Sequence, residues 1–485
     1  MFDVIVIGGG VIGGLTLREL AKYQLSCCML EKESDVCMGA SKANSGIVHA
    51  GFDAPQGSLK AKFNVAGNQM MPGVCAELGV KYKNNGSLVV AFSKDEIATL
   101  QELKARGEAN GVSGLKIISQ SELRAMEKNI SEEALSALYA PTGGIVCPYE
   151  LTIAAIGNAM DNGAKLHTNF EVAAIEKTGG AGRNGAGGNG GYTVRSKNGE
   201  TVEGKVIINC AGLASGKIAA LCGDDIKIGA RKGEYILLDR ESGDFVGHTL
   251  FFTPTKLGKG ILVTQTVDNN ILLGPTAEEM QTPDTSTSAA GLQFVQEKVK
   301  KMCKNPPLFN TITSFAGVRA YSDRHDFIIE ESKNLPGVIH LAGIESPGLT
   351  ASPAIAKYAV KELVGKFLKL EKNENFRGER KADYFFKNLS VEEKNEIIKR
   401  DPAYGKIVCR CEQITEGEIL RAIRENPPAT DIDGVKRRTR AGMGRCQGGF
   451  CQPHVAELLA KEQGVSLDKI TKCGGKSYLV QGVTK

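Results

Sequence analysis

The chain has 485 residues with 60 basic against 55 acidic side chains, a formal net charge of +5, and 42% hydrophobic and 24% charged residues. This is globular composition with length for roughly three domains; with no basic stripe interleaved with aromatics, nucleic acid is not an expected ligand. No apolar run approaches the roughly 18 residues of a membrane span, the strand expected from residue 2 leaves no space for a signal peptide, and thirteen cysteines, an odd number, are not a secreted disulfide framework. The expectation is a soluble, cytoplasmic protein with no direct membrane span.

Phe2–Ile7 is a β-branched run suited to a strand buried on both faces, and Gly8-Gly9-Gly10-Val11-Ile12-Gly13 follows as G-x-G-x-x-G. In such a turn Gly8 permits the tight bend, Gly10 lets a pyrophosphate approach the backbone, and Gly13 permits close packing of a helix whose N-terminus favours phosphate. A second apolar run, Cys27–Leu30, ends in Glu31, where a carboxylate can accept hydrogen bonds from an adenosine ribose. Strand, motif, helix, strand and acid in register predict a dinucleotide site. A single copy at the N-terminus favours a flavin held for many turnovers over a nicotinamide that exchanges.

Residues 34–51 form a loop rich in small side chains, with His49 beside Gly51 and facing an open site. Helices are predicted near 58–78, 94–111 and 149–163, and strands at 87–92, 170–176 and 192–196, the last two joined by a glycine-rich hairpin tip at 180–191. Residues 205–212 read as another buried strand, ending under the cofactor. Short alternating strands over 226–273 predict an antiparallel sheet, a floor for substrate. Residues 338–343 are the last nucleotide-domain strand, running through Glu345-Ser346-Pro347-Gly348-Leu349-Thr350 into a helix. The dipole of that helix end would stabilise the negative charge of a reduced flavin.

Residues 369–381 read as a charged linker, and Ser390-Val391-Glu392-Glu393 as a capping box. Cys409-Arg410-Cys411 and Cys446-Gln447-Gly448-Gly449-Phe450-Cys451 then give four thiols in two close pairs, with Thr415 and Glu418 capping a helix between them. Glycines beside the second pair expose the amides that anionic sulfurs need. Four thiolates take structural zinc or a [2Fe–2S] cluster, and the redox domain upstream favours iron and sulfur. His454 reads as helix surface, Cys473 as a cysteine without a partner, and Cys27, Cys28 and Cys210 as small core residues.

On these residues the chain resembles two known families. Residues 1 to about 365 resemble the D-amino-acid-oxidase-like flavoproteins through Gly8 to Gly13, Glu31, Asn44 to Gly51, Ile208 to Gly212, Ala316-Gly317-Val318-Arg319 and Gly343 to Thr350. Residues 405 to about 460 resemble the bacterioferritin-associated ferredoxin-like module with C-x-C and C-x4-C. The two in this order, with Thr439 to Cys446, are similar to the large subunits of anaerobic glycerol-3-phosphate dehydrogenases.

The resemblance implies an α/β, Rossmann-like FAD-binding domain over 1–80, 141–225 and 310–368, and an inserted antiparallel-sheet substrate domain over 81–140 and 226–309. A linker over 369–404 and a small α-rich [2Fe–2S] domain over 405–485 complete it. It also implies FAD contacts at Gly8, Gly10, Gly13, Glu31, Lys32, Ser41, Lys42, Asn44, Ser45, Val172, Ala211, Gly212, Gly343, Gly348, Leu349 and Thr350. Cluster ligands would be Cys409, Cys411, Cys446 and Cys451.

The implied reaction is FAD-dependent oxidation of a small anionic alcohol, sn-glycerol 3-phosphate to dihydroxyacetone phosphate. The alternative is L-2-hydroxyglutarate, because Asn44 to Gly51 with Gly57-Ser58-Leu59-Lys60-Ala61 looks closer to the oxidases of that acid. In both, a base takes the hydroxyl proton while hydride leaves for the flavin. An imidazole, with an ordinary pKa of about 6.5, suits that role, which falls to His49. Arg319, read as lying in a loop, is the candidate anion fork; Lys232, Lys256 and the cluster Asp323-Arg324-His325-Asp326 are weaker candidates. A hydride carries two electrons and a cluster accepts one, so the module would drain the flavin stepwise to a partner subunit or quinone, which favours a dehydrogenase. Membrane association would come through that partner. A reading of another class makes the chain an electron-transfer flavoprotein subunit.

Overall fold

A computed structural model describes residues 1–178, 190–254, 260–380 and 385–482; most of the predicted glycine-rich tip and Lys256 lie outside the described residues. Phe2–Ile7 forms β1, held between two parallel neighbours in an eight-stranded sheet, as an apolar strand buried on both faces requires. The glycine turn leads into α1 (Val11–Ala21), and β2 (Cys27–Leu30) follows with all four residues buried. Ser58 caps α2 (Leu59–Leu78) by accepting from the Ala61 amide, and Pro148, which needs no amide partner at a first turn, opens α3 (Pro148–Asp161). β3 (Thr201–Asn209) pairs with β1 in parallel.

β4 (Ile228–Leu238) leaves this sheet and becomes the spine of a second one, of nine strands. Its neighbour over nearly its whole length is β5 (Thr311–Ser322), antiparallel in the register Arg231↔Arg319 and Tyr235↔Phe315. The expected division placed 310–368 in the nucleotide domain, and there the structure differs: β5 belongs to the substrate sheet. That sheet also takes Ser87–Ala91, Ser136–Ala140 and Lys116–Ser119 from the earlier insertion, and its pairing is antiparallel except where Thr249–Phe252 runs parallel to Ser87–Ala91.

β6 (Val338–Ala342) returns to the first sheet, parallel to β3, and α4 (Gly348–Tyr358) packs back beside α1 and α2. One face of the nucleotide sheet buries Val4, Val6 and Met29 against Leu17, Ile156 and Ile355 of these helices; the other buries Ile5, Ile7 and Leu30 against Phe170 and Val194. Residues 369–380 do not hang free, since the Gln24 amide donates to the Glu371 carbonyl and Asn373 to Lys22.

The C-terminal module wraps α5 (Glu416–Arg424), α6 (Ile432–Thr439) and α7 (Gln452–Gln463) around Ile419, Val435 and Leu459. Thr415 and Glu418 form the capping box of α5 that their spacing predicts. The module is clamped to the body by charge. Asp35, which follows β2, accepts from Arg437 at 2.5 Å and from both terminal nitrogens of Arg438 at 2.8 Å, all three side chains buried. Burial pushes the Asp35 carboxyl up, but Arg438 and Arg437 outweigh it and hold the group below its ordinary range. Arg440, in the left-handed conformation that ends α6, donates to Glu412 at 3.0 Å, Asp268 at 2.7 Å and Asn270 at 3.1 Å, with the Tyr149 hydroxyl 3.5 Å away. One guanidinium thus joins the module to both other domains.

Candidate functional site

The glycine turn is shaped by close backbone approach. Gly8 has φ +108°, and a Cβ there would stand 2.5 Å from the Cys210 carbonyl oxygen; a Cβ at Gly13 would overlap the Gly8 carbonyl oxygen. The Ser41 hydroxyl accepts from the Val11 amide at 2.9 Å. Otherwise the start of α1 carries no side-chain cap and no acid in its first turn, so its remaining amides present positive charge to a pyrophosphate. Glu31 is 8% exposed and accepts from the amides of Gly9 at 2.6 Å and Glu33 at 2.9 Å. Burial pushes its carboxyl up. A cap-free helix end beside a fixed carboxylate is the donor and acceptor set that a dinucleotide needs, and these residues fit FAD.

The other expected contacts fall around this cradle. Ala211 and Gly212 follow β3 at the Gly8 turn, and the chain approaching Val172 is tied to Glu31 by the Phe170 amide, which donates to the Glu31 carbonyl. Lys32 is exposed and pairs with Glu33 at 3.0 Å, and Lys42 is exposed at the end of the 40–42 turn. Asn44 uses its amide on the Ala40 and Ser41 carbonyls. Gly343 precedes α4, and Gly348 and Leu349 open it; its first turn likewise has no side-chain cap and no acid. Thr350 is fully buried; its hydroxyl accepts from the His49 amide at 2.9 Å and donates to the Ile47 carbonyl at 3.3 Å, so its side chain fixes His49.

His49 is half-buried at the end of the Ile47–Val48 strand. Its Nε2 lies 3.2 Å from the Ser346 hydroxyl, and its ring is 5.9 Å from that of Phe251 in the substrate sheet. Arg319 sits in β5 and not in the expected loop. One terminal nitrogen donates to the Thr276 carbonyl at 3.0 Å, while its buried Nε makes no hydrogen bond. The adjoining Tyr235 stacks on Phe315 at 4.9 Å, and its hydroxyl lies 3.4 Å from that of Ser45. Burial pushes the Tyr235 phenol up against the pull of Arg319. β5 presses on the flavin loop so closely that a Cβ at Gly317 would overlap the Ala43 carbonyl.

Lys232 is turned away from this role. It is 5% exposed, donates to the Ser286 carbonyl at 3.2 Å and lies 3.4 Å from Glu234, tying β4 to the segment before the next helix. Asp326 caps α2 through the Leu59 and Lys60 amides, so the 323–326 cluster serves a turn. Tyr235 and Ser346 are not among the expected site residues: Tyr235 has no local mark, and Ser346 lies in the marked 343–350 stretch without a role that its sequence assigns.

The four module cysteines lie together in two pairs. Cys411 and Cys446 sulfurs are 3.5 Å apart, and Cys451 donates to Cys409. That bond, with the Gly442 and Glu412 amides, lowers the Cys409 pKa to about 6 against its burial, and Cys446 is also lowered, with the Phe450, Gly448 and Gly449 amides on its sulfur. Among the described residues no three or more ligand-type side chains converge on one point as a single-ion cage. Two pairs suit two irons, each taking two thiolates, better than one tetrahedral zinc. Both nitrogens of His454 face glutamates, Glu457 at 3.1 Å and Glu416 at 2.9 Å, which keeps it on the helix surface.

Residues 3–362 match the family model described as FAD dependent oxidoreductase. The chain belongs to this family. Residues 407–461 match the BFD-like [2Fe-2S] binding domain, so the protein is an FAD-dependent oxidoreductase carrying a [2Fe–2S] domain. It is 47% identical to a glycerol 3-phosphate dehydrogenase of Caloramator mitchellensis over 100% of this chain and 99% of that protein. It is 30% identical to the mitochondrial L-2-hydroxyglutarate dehydrogenase of Pongo abelii over 76% of this chain and 88% of that one. Among solved structures it is similar to the dithionite-reduced L-alpha-glycerophosphate oxidase of Mycoplasma pneumoniae with FAD bound, at TM-score 0.72 and 31% identity, covering 78% of this chain and 98% of that one. Among the described residues no helix is long and apolar enough to cross a membrane.

Proposed function

We propose that the protein is a glycerol-3-phosphate dehydrogenase that releases its electrons one at a time through the C-terminal cluster to a partner. The observation that carries this is the end-to-end similarity, cluster module included, to a relative of that name. The site supports it. The Gly8 to Gly13 turn, Glu31 and the start of α4 would hold FAD, which would supply the two-electron acceptor for a hydride. His49 Nε2 takes the proton of the substrate hydroxyl, with its ring steadied by Ser346 and its backbone by Thr350. Arg319 receives the anionic group: its unpartnered Nε is free to donate, and the Thr276 carbonyl fixes the plane of the fork. Cys409, Cys411, Cys446 and Cys451 hold the cluster.

The relatives named for L-2-hydroxyglutarate make a second reading. A second carboxylate would need a further cation. The cross-strand neighbour Arg231 is already engaged by Glu279 at 3.2 Å and Glu345 at 3.6 Å, which favours the single anionic group of glycerol 3-phosphate. Anaerobic addition of each compound separately to the holoenzyme tests this. Rapid bleaching of the flavin band by sn-glycerol 3-phosphate is expected, and bleaching by the hydroxy acid alone would overturn it. His49→Asn should slow bleaching by about 10²- to 10⁴-fold with flavin content unchanged.

A further inference from the structure

The two most exposed large apolar side chains among the described residues are Phe309, 87% exposed, and Phe450, 83% exposed. A groove runs between the substrate domain and the module. It is lined by Ile312 and Asp239 from the substrate domain and by Cys411, Glu412 and Arg445 from the module. Phe309 lies three residues before Ile312, in the turn that receives the Asp239 amide at the Asn310 carbonyl. Phe450 lies in the loop between two of the cysteines, and its amide points at the Cys446 sulfur.

The sulfurs are unequal. Cys409 and Cys451 are 1% and 3% exposed, whereas Cys411 and Cys446 are half-buried at the groove side. An electron leaving the cluster for another protein has its shortest way out at that edge. Most charges there are paired: Glu412 faces Arg240, Lys387 and Arg440, Arg440 also holds Asp268, and Arg445 holds Asp239 and Glu241, whereas Arg410, exposed between two cysteines, makes no ion pair among the described residues and is the cation left over.

We propose, on the reading that the module carries electrons out of the flavin, that this edge, with Phe450 and Arg410 at its centre, docks an acidic one-electron carrier protein. Phe450 is the aromatic anchor that desolvates the contact, and Arg410 steers an acidic rim towards the exposed sulfurs. In each encounter one electron passes from the reduced cluster to the oxidised carrier; the cluster is reoxidised, the carrier reduced, and no proton moves.

The test uses the full-length holoprotein, reduced photochemically so that substrate plays no part, with a plant-type acidic [2Fe–2S] ferredoxin as acceptor and a basic cytochrome c for comparison. Stopped-flow absorbance gives the transfer rate and an immobilised-ferredoxin assay gives binding. Phe450→Ser and Arg410→Glu should each slow transfer to ferredoxin and weaken its binding about tenfold, with the cluster spectrum retained, and Arg410→Lys should restore both. If Phe450→Ser loses the cluster, Phe450→Leu takes its place, with an intermediate loss expected. Unchanged rates and binding in these variants, or faster reduction of cytochrome c or of a short-chain quinone than of ferredoxin, would overturn the proposal. Failure of the substrate reading shows separately, as a flavin that sn-glycerol 3-phosphate does not bleach while the photoreduced protein still delivers electrons.

Discussion

At the proposed dinucleotide cradle the chain offers mostly backbone: a turn closed by Gly8 against Cys210, uncapped helix ends at α1 and α4, and one carboxylate, Glu31, fixed by two amides. Where the cluster module meets the body, it offers buried charge: Asp35 between Arg437 and Arg438, and Arg440 among Glu412, Asp268 and Asn270. The cradle must leave donors open for a ligand, so it is built from groups with no side chain to get in the way. The junction has no ligand to wait for and can close every charge on a partner, at the cost that neither partner tolerates being alone.

The largest effect expected is in the cradle. Gly13→Val puts side-chain atoms where even a Cβ overlaps the Gly8 carbonyl, and the purified protein should carry no flavin by absorbance while the cluster module still folds. At the junction, Asp35→Ala leaves two buried guanidinium groups without their anion and should cost about 3–5 kcal/mol, read as a shift of the denaturant midpoint. Asp35→Asn, which keeps an acceptor, should cost less. Back in the cradle, Glu31→Ala removes an ionised acceptor from two amides and, on the proposed contact, from the ribose, a loss of about 1.5–3 kcal/mol, or roughly 10- to 150-fold in FAD affinity by titration of the apoprotein. Equal losses of stability from Asp35→Ala and Asp35→Asn would erase the contrast.

The smallest effect is in pH dependence, and its sign differs between the regions. Asp35 is held below its ordinary range, so its contribution is complete above the unfolded value of about 4 and is lost as pH falls through the lower folded value. Glu31 is raised by burial, so the flavin-free fold is penalised as pH rises from about 4 through the higher folded value. Denaturant unfolding of the apoprotein across pH 3 to 7, in wild type, Asp35→Asn and Glu31→Gln, should show the acid-side loss vanish in the first variant and the penalty vanish in the second.

The same contrast explains what could be read from sequence. The strand, glycines, helix and Glu31 are local, so their spacing alone places them, and the two cysteine pairs and the capping box of α5 are equally short-range. Arg319, after Ser314-Phe315-Ala316-Gly317-Val318, reads from sequence as a loop residue. Only the structure shows that Gly317 is needed where β5 passes the Ala43 carbonyl, and that the long pairing with β4 carries the strand through it. That one strand also shifts the domain border. Asp35 and its arginines stand some four hundred positions apart, 402 and 403 in the two contacts, and no periodicity or motif connects them. Tyr235 reaches the site from a strand with nothing local to announce it, and Ser346 from a marked turn whose contact with His49, 297 positions away, no local pattern shows.

Asp35 and Asp268 belong to the flavin and substrate domains, yet each draws arginine from the last hundred residues. Cutting the chain before the module would leave Asp35 with no ion pair, and Asp268 with Lys81 as its remaining one. The tail is therefore not a detachable accessory. A substitute domain grafted in its place would have to bring guanidinium groups to the same two points, so the body of the protein dictates the kind of module it can accept.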